Sequence, residues 1–137
     1  MCMLTNMLNH SHTRSISIAA APSDVLAFLA DPHNLPRWAP AFARSVSERD
    51  GQLRVDTGQG ELPISVSVSR ERGTVDLLSA AEPRVGAFSR VLPNGDGSEY
   101  LFTLFFAPDA DDTAVEAQMA VVDQELEAVR ALCEPAA

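Results

Sequence analysis

Val115, Met119, Val122, Leu126, Val129 and Leu132 recur at spacings of three and four, which draws one apolar stripe along a helix of about five turns. Pro135 closes the stripe. Ahead of it, Asp111-Asp112 leads into Thr113-Ala114-Val115-Glu116, which reads as a capping box whose Thr hydroxyl and Glu carboxylate meet free backbone donors. A helix this long with a single greasy face must lie on something broad. The rest of the chain has to supply a sheet.

It does so in short strands. Ser45–Glu48 and Gln52–Thr57 flank Asp50-Gly51, a strong hairpin signal. Leu62–Arg70 sets Ile64, Val66 and Val68 against Ser65, Ser67 and Ser69, a strand with one greasy and one wet face. Thr74–Ser79 and Val85–Leu92 follow, then the turn Asn94-Gly95-Asp96-Gly97, then the aromatic strand Glu99–Phe106. Short turns join each strand to the next, so an antiparallel meander is expected. Before all of these, Ile16 and Ile18 alternate with Ser15 and Ser17 as a half-buried strand starting near Thr13. Residues 1–12 carry no such pattern and are expected to be a poorly ordered segment ahead of one domain over 13–137.

The stretch ISIAAAPSDVLAFLADPHNLPRWAPAF, Ile16 to Phe42, joins that first strand to a short helix. Pro22 suits a first helical position, and Val25, Phe28 and Leu29 make its apolar stripe. Pro32 ends the helix at Asp31, and Pro32, Pro36 and Pro40 together predict a broken turn carrying Trp38. This order resembles the START-like (helix-grip) superfamily, in particular its polyketide cyclase/dehydrase-type branch, over roughly Thr13 to Cys133. The resemblance implies an α+β fold: a curved antiparallel sheet of six or seven strands wrapped around a long C-terminal helix, with two short helices after the first strand. It also implies an apolar cavity between sheet and helix, with Trp38 near its mouth.

Composition narrows the function classes. Nineteen acids against ten bases give a net charge of −9, which opposes binding to nucleic acid or an anionic membrane surface. The late acids Asp109, Asp111, Asp112, Glu116, Asp123, Glu125, Glu127 and Glu134 read as a solvated helix face. No segment reaches the ~20 apolar residues of a membrane span. The start MCMLTNMLN lacks a basic leader region, and Cys2 and Cys133 form no disulfide framework, so a cytoplasmic, reduced protein is expected.

Chemistry-bearing motifs are scarce. His10, His12 and His33 have no partners spaced for a metal, and no metal is expected. Gly58-Gln59-Gly60 lacks the spacing and the following helix of a phosphate cradle, so no cofactor is expected either. No serine sits in a nucleophile elbow. The candidate ligand-binding residues are therefore those of the expected cavity: Trp38, Phe42, Val66, Phe88, Arg90, Tyr100, Phe102, Met119 and Val122. Tyr100 is the natural polar handle of the aromatic strand, which equally reads as plain core. Arg90 is in phase with Phe88; turned inward it could grip a carboxylate or an enolate, and turned outward it is an ordinary surface charge.

Three functions follow. The first is binding of a hydrophobic small molecule: a lipid, a polyketide or an aromatic metabolite. The second is a cyclase, aromatase or dehydratase in which cavity shape folds the substrate and Tyr100 or Arg90 moves protons. The third is a protein-interaction module, with a homodimer also open. Convergent polar groups with perturbed pKa favour an enzyme; an all-apolar lining favours a carrier.

Overall fold

In the computed structural model, residues 8–135 are described; the expectations for Met1–Met7, including the thiol of Cys2, lie outside them. Seven strands form one antiparallel sheet in the order β1-β7-β6-β5-β4-β3-β2. They are β1 (His10–Ile18), β2 (Ser45–Arg49), β3 (Gln52–Asp56), β4 (Glu61–Ser69), β5 (Thr74–Ser79), β6 (Gly86–Asn94) and β7 (Gly97–Phe106). Strands β2 to β7 run as a meander, and β1 crosses over to pair with β7. Three helices complete the fold: α1 (Pro22–Ala30), a single turn α2 (Leu35–Trp38) and the long α3 (Asp112–Cys133). This is the architecture that the resemblance implies.

Local chemistry accounts for the joints. Asp50 and Gly51 both have positive φ, 52° and 78°, the conformation of a two-residue hairpin turn matched to strand twist. The buried Ser98 hydroxyl donates to Ala20 O at 2.7 Å and pins the entry of α1 to the sheet. After α1, the Asp31 carboxylate accepts from His33 N, and Asn34 Nδ2 donates to Phe28 O at 2.8 Å, so the proline-rich segment folds back as a 3₁₀ turn (Pro32–Asn34) leading into α2.

Several details differ from the sequence reading. Strand β1 begins at His10, three residues earlier, because His12 packs edge-on against Phe106 and the pairing with β7 runs from His10 to Ile18. Helix α3 starts at Asp112 with Asp111 as its cap, which places Thr113 inside the first turn, and no side chain caps the helix. The apolar stripe is buried from Val115 to Val129, while Leu132 is 38% exposed near the end of the helix. In α1 it is Val25, Leu26 and Leu29 that are buried; Phe28 lies half-exposed beneath the Arg37 guanidinium, 5.4 Å from its ring centre.

The inner face of the sheet follows from register. Tyr100 opposes Val91 and Ile16, and Phe102 opposes Ser89 and Arg14. On the next strands, Val75 opposes Ser89 and Leu77 opposes Val66. Side chains alternate across a strand, so this face collects Ile16, Tyr100, Phe102, Val91, Ser89, Val75, Leu77 and Val66. Helix α3 packs along β1, where Arg14 Nε meets Asp123 Oδ1 at 3.1 Å. The remainder of the inner face is left to a cavity.

Candidate functional site

The sheet, α2 and α3 line a partly open cavity of about 340 Å³. The sheet wall is Leu62, Ile64 and Val66 from β4, Val75 and Leu77 from β5, Ala87 and Ser89 from β6, and Tyr100, Phe102 and Leu104 from β7. Leu29, Leu35, Trp38, Ala39 and Phe42 close one side. The far rim is Ser79, Val85 and Gly86, where β5 turns into β6. Gly86 is demanded there by close packing: a Cβ would sit 2.2 Å from Leu77 O.

Of the nine candidate residues, Trp38, Phe42, Val66, Tyr100 and Phe102 line this cavity. Trp38 meets Phe102 edge-on at 6.5 Å, and Tyr100 meets Phe102 edge-on at 6.3 Å, so one aromatic ring links the short-helix wall to the sheet wall. Phe88 and Arg90 are corrections. Both project from the outer face, because Ser89 and Val91 take the inward positions of β6. Phe88 packs edge-on against the exposed Phe105, and Arg90 Nε donates to Arg72 O in solvent. Met119 and Val122 are also outside the lining: they are buried in the core stripe of α3. The helix is rotated so that Gln118 and Glu125, two turns apart on one line, face the cavity instead.

Glu125 is the residue that sequence reasoning placed elsewhere. It was grouped with the solvated acids of the late helix, yet it is only 7% exposed and lines the cavity. It makes no salt bridge among the described residues, and burial pushes its carboxyl up to about 7. One signal was available. At position 125 the acid directly precedes Leu126 of the buried stripe, and lies seven residues after Gln118 rather than on the opposite face.

The other polar groups cluster on the sheet side. Tyr100 is fully buried, which raises its phenol well above the ordinary value; a hydrogen bond with the Ser89 hydroxyl opposes the shift, and the charge of Glu125 adds to it. Ser89 Oγ donates onward to Val75 O at 2.5 Å. Trp38 Nε1 is buried with no acceptor among the described residues. Among the described residues, no Lys, Arg or His side chain lines the cavity. The histidines lie apart from it: His10 at Pro108 O, His12 on Phe106, His33 exposed in the 3₁₀ turn. Cys133 is half-buried at the end of α3, where burial raises its thiol above the ordinary value.

Among the described residues, no helix is long and apolar enough to cross a membrane. No curated protein matches the sequence. Solved structures with the same fold include a START superfamily protein from Mycobacterium smegmatis, 16% identical over 90% of this chain and 97% of that one, with a TM-score of 0.69. The Zhui aromatase/cyclase from a Streptomyces species is 17% identical over 92% of this chain and 94% of that one, with a TM-score of 0.65. The Aha1 dimer from Colwellia psychrerythraea is 13% identical over 91% and 96%, with a TM-score of 0.69. At these identities the likeness is one of fold. The family model described as "Polyketide cyclase / dehydrase and lipid transport" matches residues 9–134, so the strands, the cavity and α3 all fall inside the match, and the chain belongs to that family.

Proposed function

We propose that the chain binds a hydrophobic small molecule in the cavity between the sheet and α3. The observation that carries this reading is the unfilled space itself. Protein interiors are close-packed and seldom leave a void much larger than a water molecule, whereas here a partly open space of about 340 Å³ runs in between sheet and helix, lined mainly by aliphatic and aromatic side chains. That volume is near the lower end of ligand pockets, roughly 300–1,000 Å³. A compact one- or two-ring molecule suits it better than a long acyl chain. The family description, which names both polyketide chemistry and lipid transport, supports the same class of ligand.

The test is native mass spectrometry of the protein purified from its own host, followed by denaturation and identification of what is released. A stoichiometric hydrophobic compound supports the reading. Empty protein that also fails to take up the neutral dye N-phenyl-1-naphthylamine would sink it.

Glu125 favours a second reading, an enzyme of the cyclase, aromatase or dehydratase type. A carboxyl held at about 7 is matched to proton exchange near neutral pH. The neutral Tyr100 phenol in the same cavity offers a hydrogen-bonding partner for a developing enolate. Conversion of a linear poly-β-ketone thioester to a cyclic product by the wild type, at a rate lowered at least a hundredfold in Glu125→Gln, supports this reading. Equal rates for the two proteins would overturn it.

A further inference from the structure

The polar groups of the cavity wall are uneven in kind, and their imbalance bears on the ligand. Glu125 is a buried carboxyl with no salt-bridge partner among the described residues. Trp38, in the wall formed by α2, holds an indole N–H with no acceptor among the described residues. The Ser89 hydroxyl is already committed to the Val75 carbonyl, beside the neutral phenol of Tyr100. Among the described residues, no cationic side chain lines the space. Resting on the binding reading above, we infer that the ligand is uncharged, presents a carbonyl-type hydrogen-bond acceptor to Glu125, and carries no carboxylate.

The physical reasons are these. A buried anion is tolerated only when paired, and a ligand carboxylate entering here would meet a second carboxyl and no counter-charge. Burial favours the protonated Glu125, which is a donor as well as an acceptor. An unmet buried donor costs free energy that an incoming acceptor recovers. An ammonium ligand could pair only with an ionised Glu125, so well below pH 7 it would first have to displace the proton that this carboxyl holds. Free fatty acids and aromatic acids are therefore disfavoured; ketones, quinones and esters are favoured.

A matched set of probes separates this from the binding reading. Naphthalene, 2-acetylnaphthalene, 2-naphthoate and 2-(aminomethyl)naphthalene share one ring system and differ in the polar group. Calorimetric titration at about pH 6 keeps Glu125 largely protonated, the naphthoate ionised and the amine cationic. We expect 2-acetylnaphthalene to bind about tenfold more tightly than naphthalene, and at least tenfold more tightly than 2-naphthoate or the amine. In Glu125→Leu the advantage of acetylnaphthalene over naphthalene should vanish, while Glu125→Gln, whose amide still donates, should keep it. Circular dichroism of both variants verifies that they fold. If the naphthoate or the amine binds as tightly as the ketone, or if Glu125→Leu leaves the ketone's advantage intact, the inference fails while the binding reading stands. If none of the four binds, the binding reading fails and takes the inference with it.

Discussion

Glu125 on α3 and Tyr100 on β7 enter one cavity from facing walls, and the charge of Glu125 adds to the burial that keeps the Tyr100 phenol neutral. The pair joins the last helix to the aromatic strand at the point where the core is left unfilled. Their shared environment makes both measurable.

Glu125 should make stability fall as pH rises. Its folded-state value of about 7 lies above the ordinary 4.5, so the native state holds the proton more tightly than the unfolded chain. The contribution is fully present below about pH 4.5 and is lost progressively up to about pH 7, by as much as about 3 kcal/mol. Urea unfolding from pH 5 to pH 8 should show this decline, and Glu125→Gln should remove it and be the more stable protein at pH 8. A wild-type profile parallel to that of the variant would contradict the buried, unpaired carboxyl.

Tyr100 is the only tyrosine of the chain, so its ionisation can be followed without interference. Burial raises its phenol, and the native protein should develop no tyrosinate absorbance through the range in which a free tyrosine titrates, near pH 10. The band should appear only together with loss of the far-ultraviolet circular dichroism. A titration that precedes unfolding would mean that water reaches the phenol.

Trp38 is likewise unique. Its emission should be that of a buried indole and should change when a ligand fills the cavity it lines. Trp38→Ala should cost about 3–5 kcal/mol, as expected for removing a buried aromatic, whereas Trp38→Phe should retain most of the stability. A loss below about 1 kcal/mol for the alanine variant would show that the side chain packs loosely against Phe102.

Arg90 serves as the control for the face assignment. Its guanidinium lies outside the cavity and meets only a backbone carbonyl in solvent. Arg90→Ala should change unfolding free energy by no more than about 1 kcal/mol and leave probe affinities unchanged. A large fall in affinity would place that side of β6 against the ligand after all.

Much of the fold was legible because it rests on local patterns. Ile64-Val66-Val68 against Ser65-Ser67-Ser69 announces a two-faced strand wherever it is placed, and Asp50-Gly51 takes the positive φ values that a tight hairpin needs. Two of the local differences are shifts of two or three residues at the ends of elements. Asp111, not Thr113, takes the N-cap position of α3, and pairing with β7 extends β1 back to His10. In the site, the residues on the aromatic face of β7 and in the loop after α1 were legible, since Trp38, Tyr100 and Phe102 leave few other places to bury so much ring surface.

What the sequence by itself determined is which residues share a face: Ser89 with Val91, Phe88 with Arg90, Gln118 with Glu125. Periodicity depends only on backbone geometry. Which of those faces looks inward was decided by the tertiary structure. The register of β6 against β5 and β7 sent Phe88 and Arg90 outward, and the rotation of α3 against β1 turned Glu125 into the cavity while Met119 and Val122 went to the core. Those choices are collective, set by packing a whole sheet around one helix. For this reason the acid that most distinguishes the cavity looked, in the sequence, like one more charge on a solvated helix.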